Sequence, residues 1–271
     1  AFLSPLIKQN KSIGFVPTMG ALHQGHLSLL KNSLSENDVT VMSIFVNPTQ
    51  FNNAEDLDKY PRTLERDVQI MQDLSNNIIV YAPEVADIYE GNTISESFNY
   101  DGLENQMEGK HRPGHFDGVG TIVKRLFEIV QPNKAYFGEK DFQQLQIVKK
   151  LVSKYNIPVD VIGCPIHREA NGLAMSSRNE RLSESAREKA AIIYQILNSA
   201  KEIFQTNSAE QTIKFVENEF KKHPEFELEY FEIADEATLL PVSEKESNKK
   251  YRGFIAIFIE NIRLIDNISL N

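Results

Sequence analysis

Through the first 180 residues, short apolar runs alternate with amphipathic stretches of helical period, and that alternation leaves few folds open. The strand candidates are Ile13–Val16, Val39–Val46, Ile78–Tyr81, Lys134–Phe137 and Val159–Gly163. Each is brief, apolar or β-branched, and bounded by Gly, Pro, Asn or Asp. Helical stretches fall between them at Gly25–Glu36, Leu64–Ser75, Gly118–Val130 and Phe142–Tyr155. Within Gly118–Val130, the residues Val119, Ile122, Val123, Leu126, Phe127 and Val130 share one helical face. Strands alternating with helices read as βαβ units, hence an α/β fold with a Rossmann-like parallel sheet covered on both faces. Ligands of such sheets sit beyond the carboxyl ends of the strands. The distinctive residue groups of this chain follow its strand candidates.

After about residue 180 the texture changes. Ser183–Gln205 and Ser208–His223 read as two helices, each opened by a serine suited to capping it. Glu227–Ala234, Tyr251–Ile259 and Ile262–Asn267 read as strands, the last two joined by a tight hairpin at Glu260-Asn261. Helices followed by antiparallel strands indicate a smaller α+β domain. We therefore expect a catalytic domain over 1–180 and a C-terminal domain over 181–271, linked near Asn179–Ser183, with Ser243–Lys250 a charged surface loop. A length of 271 residues accommodates two such domains. The single cysteine, Cys164, excludes an internal disulfide and any cysteine-based zinc cluster, and reads as a small buried hydrophobe. Such cysteine usage points to a reducing, cytoplasmic setting. No run approaches the roughly 20 apolar residues of a membrane helix, and nothing at the N-terminus reads as a signal peptide. The net charge of −9 argues against a general nucleic-acid coat. Residues 101–180, with 11 basic and 10 acidic groups, are the one stretch suited to anions.

The string Ile13-Gly-Phe-Val-Pro-Thr-Met-Gly-Ala-Leu-His-Gln-Gly-His26 leaves a strand at Val16, turns through Pro17 and Gly20, and enters a helix near Gly25. Glycines in such a turn let a ligand approach the backbone where a Cβ would collide. His23 and His26 are three apart and can face the same way on the first helical turn. The helix start adds unpaired N–H groups and the positive end of the dipole, which together make a phosphate site. A tight strand-to-helix turn with two histidines nearby is the plainer alternative. A zinc reading of the pair lacks a third ligand nearby. The string matches neither G-x-x-x-x-G-K-[ST] nor G-x-G-x-x-G, which sets aside the usual P-loop and dinucleotide sites.

Four further groups carry polar chemistry. Phe45-Val-Asn-Pro-Thr-Gln-Phe51 offers Asn47 and Gln50, neutral donors and acceptors suited to a small polar substrate, although Asn-Pro is also a turn signal. The acids of Glu55-Asp-Leu-Asp-Lys-Tyr-Pro-Arg62 read singly as helix-start charges. Gly109-Lys-His-Arg-Pro-Gly-His-Phe-Asp-Gly-Val119 precedes a helix, and Phe137-Gly-Glu-Lys-Asp-Phe-Gln-Gln-Leu145 follows a strand. In the latter, Lys140 is placed to neutralise a phosphate, with Gln144 one helical turn beyond. Gly172-Leu-Ala-Met-Ser-Ser-Arg-Asn179 brings two hydroxyls and a guanidinium able to fork onto a triphosphate; alone it also reads as a surface turn. The inventory fits a nucleoside triphosphate and contains no paired-carboxylate, Ser-His-Asp or Cys-His set. Positioning and charge neutralisation then carry the chemistry, as in phosphoryl and nucleotidyl transfer.

In this order, these stretches resemble the pantoate–β-alanine ligase family, part of the wider group of His-x-Gly-His nucleotidyltransferases. The resemblance covers nearly the whole chain and is sharpest up to about residue 180; Arg263-Leu-Ile-Asp-Asn267 resembles the family's closing strand. It implies an ATP-dependent ligase: ATP and (R)-pantoate give a pantoyl-adenylate and pyrophosphate, and β-alanine then displaces AMP to give pantothenate, on the route to coenzyme A. Carried over by position, Met19, Gly20, Ala21, Leu22, His23, Gln24, Gly25 and His26 line the ATP site, with His26 catalytic. Gly138, Glu139, Lys140 and Asp141, together with Met175, Ser176, Ser177 and Arg178, also hold ATP, and the backbone of His167 touches the adenine. Gln50 and Gln144 grip pantoate, Gln50 lying near β-alanine as well; Asn47, Tyr60 and Arg112 match secondary positions near the substrate or the subunit contact. The resemblance further implies a homodimer and Mg²⁺ arriving with ATP, with no nucleic-acid or membrane partner. Magnesium is held mostly by phosphate oxygens, Asp67 being the one side chain considered as a ligand.

The chain departs from the family pattern at Asn52, where Gly is frequent, at Arg125, where Lys is usual, and at His167, which replaces a commoner apolar residue. Only 12 residues precede Ile13, fewer than is typical. Attack of a carboxylate on the α-phosphate brings two anions together, and His23, His26, Lys140, Arg178 and Mg²⁺ offset that repulsion. The mixed anhydride is fragile in water, so the C-terminal domain reads as a lid. Two rival readings share the nucleotide chemistry: another small-molecule nucleotidyltransferase, which needs no amine, and a non-catalytic nucleotide-binding sensor, which shows no turnover.

Overall fold

The five apolar runs pair into one parallel sheet, made of β1 (Ile13–Thr18), β2 (Val39–Ile44), β3 (Ile78–Tyr81), β4 (Lys134–Gly138) and β5 (Asp160–Cys164), in the order β3-β2-β1-β4-β5. They belong to a computed structural model that describes residues 3–271. The helices of this part are α1 (Ser4–Lys8), α2 (Gln24–Glu36), α3 (Ala54–Asp58), α4 (Leu64–Leu74), α5 (Val85–Tyr89), α6 (Met107–His111), α7 (His115–Val130) and α8 (Phe142–Lys154). Adjacent strands are in straightforward register, for example Val16 opposite Met42 and Phe15 opposite Ala135. The chain builds outward from β1 through β2 to β3, then crosses to β4 and β5 on the other side. The reversal falls between β1 and β4. Doubly wound sheets bind ligands at that point, beyond the strand carboxyl ends, here Thr18 and Gly138.

Alternate residues of β1 serve opposite faces, as strand geometry requires. Val16 packs with Leu22, Leu29 and Leu30 of the α2 side, together with Met42, Met71, Tyr136 and Cys164. Phe15 faces the other way and meets Phe127 of α7 edge-on, ring centroids 6.2 Å apart. Each large apolar side chain so buried contributes about 1.5–3 kcal/mol. Cys164 is a core hydrophobe: its Sγ accepts from Asn32 Nδ2 at 3.3 Å, and burial pushes its thiol pKa up. The acids at the start of α3 are helix-start charges behind an Asn53 cap, Glu55 pairing with Lys59 at 2.5 Å.

The remaining elements are α9 (Glu184–Lys189), α10 (Ala191–Thr206), α11 (Ala209–Phe220) and an antiparallel sheet of β6 (Phe226–Asp235), β7 (Tyr251–Ile259) and β8 (Ile262–Ser269), in that order. Glu260 and Asn261, with φ of 51° and 59°, turn the β7–β8 hairpin, the left-handed pair that matches strand twist. Ser183 and Ser208 cap their helices by accepting from Ala186 and Gln211 N–H, each at 3.2 Å. The single helix expected over Ser183–Gln205 is two, α9 and α10, because at their junction Ile193 N–H reaches back only three residues, to Ala190 O at 3.1 Å.

Two compact units result. One runs to Glu139 and resumes over Gln144–Pro165; the other comprises Lys140–Gln143 and Ile166–Asn271. The division lies at Pro165/Ile166, where the sequence reading placed the boundary after residue 180. It also assigns four residues beyond β4 to the second unit. There Asn267 Nδ2 donates to Lys140 O at 2.8 Å, and the Arg252 guanidinium lies 4.0 Å from the centroid of the Phe142 ring.

Candidate active site

In the first unit the site grows from the turn after β1. Thr18 Oγ1 donates to Ser43 O at 2.8 Å, tying the end of β1 to β2, and accepts from Gly20 N–H at 3.3 Å. Gly20 takes φ of +86°, a backbone conformation with little cost only for glycine. The next two N–H groups are met by Asp67 on α4. Its Oδ2 accepts from Ala21 and its Oδ1 from Leu22, both at 2.9 Å, while Thr63 Oγ1 donates to Oδ2 at 3.2 Å. Asp67 is fully buried. Both carboxylate oxygens of the one side chain considered for magnesium thus take part in holding the turn in the interior.

The turn delivers His23 to the N-cap of α2. Gly25 N–H donates to His23 Nδ1 at 3.1 Å, and His23 N–H donates to His26 Nδ1 at 3.3 Å, a reciprocal capping box built from two imidazoles. The rings lie close and tilted, with centroids 4.0 Å apart and planes inclined by 35°. Because Nδ1 accepts in both rings, the proton of each neutral imidazole sits on Nε2. Two N–H donors are thus fixed at a helix N-terminus, where the dipole favours an anion. Gln24, between them, is exposed, and Met19 and Gly25 are half-buried.

The loop after β2 forms a second polar group. Asn47 Nδ2 donates to Gln50 Oε1 at 3.2 Å and to Gly118 O at 3.1 Å; its Oδ1 accepts from Tyr89 at 2.5 Å and Thr49 at 3.3 Å. Burial holds the Tyr89 phenol above its usual pKa, which keeps the proton that Asn47 accepts. All four hydrogen-bonding positions of Asn47 are filled from within the protein, so it acts on its neighbours. Gln50 Nε2 reaches Met19 Sδ at 3.0 Å, which brings the glutamine to the turn after β1. Arg112 donates through Nη2 to Gln50 O at 3.3 Å and pairs with Glu108 at 3.5 Å. Tyr60 is buried, its ring edge-on to Phe51 at 5.8 Å. Gln144 is half-buried near the start of α8.

In the second unit the Lys140 side chain is 18% exposed and lies 3.8 Å from Asp141. Ile166–Arg178 folds back on itself: Arg168 pairs with Ala174 in an antiparallel bridge, and Met175 N–H donates to His167 O at 3.0 Å. The hairpin so formed joins His167 to the Met175–Arg178 group, two sets far apart by motif but adjacent in space. Ser176 Oγ accepts from Arg178 N–H at 3.2 Å and caps the short helical turn Ser177–Arg181. A cavity of about 10 Å³, the size of one water molecule, has Lys140, Ser176, Asn179 and Asp266 in its wall. The Asn179 amide donates to Glu169 at 2.9 Å and to Ala174 O at 3.1 Å, holding the loop that carries the two serines. Arg168 forks onto Asp266 at 2.6 and 2.9 Å. Burial pushes the Asp266 carboxyl up overall, against the downward pull of Arg168 and the Asn267 N–H.

Of the residues singled out in sequence, the structure brings His23 and His26 together at the α2 N-terminus, sets Gln50 against Met19, and joins His167 to the Met175–Arg178 loop. Sequence reasoning assigned no role to the groups that hold their neighbours, Tyr89, His115 and Asn267, the last quoted only as the end of a strand. His115 lay inside a quoted cluster, without any local signal naming its partner. Among the described residues, no group of three His, Cys, Asp or Glu is placed to hold a metal ion, and no helix is long and apolar enough to cross a membrane.

The family model of pantoate-beta-alanine ligase matches residues 1–269. The chain is 66% identical to a pantothenate synthetase of Flavobacterium psychrophilum over 269 residues, covering 99% of this chain and 95% of that protein. It is 49% identical to one of Bacteroides thetaiotaomicron, covering 99% and 94%. Among solved structures, a pantothenate synthetase from Thermus thermophilus superposes with a TM-score of 0.89 at 42% identity, over 96% of this chain and 93% of that one. A pantoate-beta-alanine ligase from Francisella tularensis, complexed with beta-gamma ATP and beta-alanine, superposes with a TM-score of 0.78 at 38% identity, over 97% and 91%.

Proposed function

The chain belongs to the pantoate-beta-alanine ligase family, and from that premise we propose how its residues carry out the condensation of pantoate with β-alanine. The enzyme uses ATP to convert (R)-pantoate into pantoyl-adenylate with loss of pyrophosphate, then transfers the acyl group to β-alanine with release of AMP. The observation that carries the assignment of roles is the imidazole capping box: His23 and His26 each turn Nδ1 toward the backbone and keep an Nε2–H donor at the α2 N-terminus. Donors fixed before the reaction stabilise the charge that grows on a phosphate as it is attacked. His26 takes the catalytic part, with His23 beside it. Lys140 and Arg178 neutralise phosphate charge, and Ser176 and Ser177 donate to the same groups. Gln50 and Gln144 hold pantoate, and Gln50 serves β-alanine in the second step.

Mg²⁺ would enter with ATP, held mostly by phosphate oxygens, and would supply further charge neutralisation beside Lys140 and Arg178. We assign to the second unit the part of a lid that slows hydrolysis of the anhydride. We also place the enzyme in the cytoplasm as a homodimer, which sedimentation at enzyme-assay concentrations tests.

The mechanism is tested with ¹⁸O in the carboxylate of pantoate. Attack on the α-phosphorus makes one carboxylate oxygen the bridge to AMP, and amine attack at the acyl carbon leaves that oxygen on AMP. Label in AMP is the expected result. Label in inorganic phosphate, with ADP as co-product, overturns adenylation.

A further inference from the structure

We propose that His115 is a positioning residue for Gln50, pinning the glutamine's main chain so that its side-chain amide is presented to substrate; the proposal rests on the reading of Gln50 as the pantoate and β-alanine ligand.

His115 opens α7 and is 6% exposed. Its Nδ1 lies 2.8 Å from Gln50 O and its Nε2 lies 3.2 Å from Arg112 Nη1. A guanidinium only donates, so Nε2 accepts; the ring proton is therefore on Nδ1, which donates to the Gln50 carbonyl. That is the opposite tautomer from His23 and His26, and it is set by the neighbouring arginine. The carbonyl also receives Arg112 Nη2 at 3.3 Å. Gln50 ends the short helical turn Pro48–Gln50, in which Phe51 N–H closes onto Pro48 O at 3.3 Å, so the Gln50 carbonyl is the one left at the end of the turn. The imidazole and the guanidinium meet it there.

The rest of the α7 start is built to the same end. A Cβ on Gly118 would fall 2.5 Å from Thr49 O, so only glycine lets this helix approach the loop. Gly118 O then accepts from Asn47, whose amide also holds Gln50 Oε1. Gln50 is thus fixed at both ends: its carbonyl by His115 and Arg112, its side chain by Asn47. Release of the carbonyl lets the backbone at Gln50 rotate, and the amide leaves the place where substrate meets it.

The test compares His115→Leu, His115→Asn and His115→Gln, with Gln50→Ala as reference. His115→Leu should raise KM for pantoate about tenfold, the effect of one lost hydrogen bond to a buried carbonyl, while KM for ATP stays within about twofold. His115→Asn keeps an N–H near the Nδ1 position and should restore most of the loss; His115→Gln, whose donor lies farther out, should not. Nitrogen-15 spectra of the wild type should show His115 protonated on Nδ1 alone at neutral pH. If His115→Leu raises both KM values equally, or if the asparagine variant is no better than the leucine or glutamine one, the positioning role is wrong. Should the leucine variant fail to fold, the asparagine–glutamine comparison and the tautomer decide alone. If Gln50→Ala leaves KM for pantoate and β-alanine unchanged, the reading of Gln50 fails; if Gln50→Ala raises them and the His115 series does not, only the present proposal fails.

Discussion

Asp67 and Ala21, 46 residues apart in sequence, meet in the interior: the carboxylate oxygen Oδ2 accepts the Ala21 N–H at 2.9 Å, and Oδ1 takes that of Leu22 alongside. This one side chain holds two successive N–H groups of the turn after β1. His23 and His26 follow within five residues of Ala21, so the shape of the turn that delivers them passes through Asp67.

Asp67→Asn should therefore lower both stability and adenylation. One end of the amide presents N–H where an acceptor is required, leaving a buried donor unsatisfied at a cost of about 1–3 kcal/mol. We expect a reduced melting temperature and a fall of at least about tenfold in pyrophosphate release. The magnesium concentration giving half-maximal rate should not change. A shifted magnesium midpoint with unaltered stability would instead make Asp67 a metal ligand.

His26→Ala should slow adenylate formation about 100- to 1000-fold, the usual effect of removing a donor aimed at developing charge. The two nitrogens can be separated. His26→Asn keeps an acceptor near the Nδ1 position and so preserves the cap, yet lacks Nε2; it should fold like the wild type and be as slow as the alanine variant. Rapid-quench measurement of pyrophosphate checks this, and an asparagine variant within about threefold of wild type would show the chemistry does not use Nε2.

Asn267 bridges Lys140 O and Arg252, with 2.8 Å to the first and 2.7 Å to the second. Asn267→Asp replaces the donor with an oxygen facing the Lys140 carbonyl. KM for ATP should rise about tenfold while KM for pantoate moves little, because a repulsive contact replaces a hydrogen bond behind the lysine proposed to meet phosphate. Steady-state kinetics with each substrate varied in turn test it; a rise confined to pantoate would count against the assignment.

Tyr136 gives the pH signature. Burial, first, and the neighbouring Glu36 carboxylate push its phenol up to about 12, against the usual value of 10.0, while the Asn37 amide opposes them. The folded state holds this proton more tightly than the unfolded chain does. Its contribution to stability is complete below pH 10 and is lost as pH rises toward 12. Melting curves between these limits should fall more steeply for the wild type than for Tyr136→Phe. Parallel curves would show that Tyr136 does not titrate late.

How much of this the chain announces locally can be judged element by element. β3 and β7 occupy the residues their patterns named, and the Glu260-Asn261 turn was legible because a two-residue link between apolar runs admits few conformations. The histidine pair was legible for the same reason: a strand, a turn and a helix start within 14 residues fix where such side chains go. The break between α9 and α10 was not, because both sides carry the same apolar period and only the hydrogen bonding at Ala190 shifts.

By itself, then, the sequence determined the order of strands and helices, the strand ends at which polar groups gather, and the nucleotide chemistry those groups suit. Each of these is written in spacings of a few residues, where backbone geometry leaves little choice. Only the tertiary structure decided that Asp67 holds the turn after β1, that His115 meets Gln50 from 65 residues away, and that Lys140 through Gln143 belong with the closing strand of the second unit. A buried carboxylate, imidazole or amide goes to whichever backbone N–H or carbonyl the folded elements leave without a partner. That unmet group does not exist until the elements have packed.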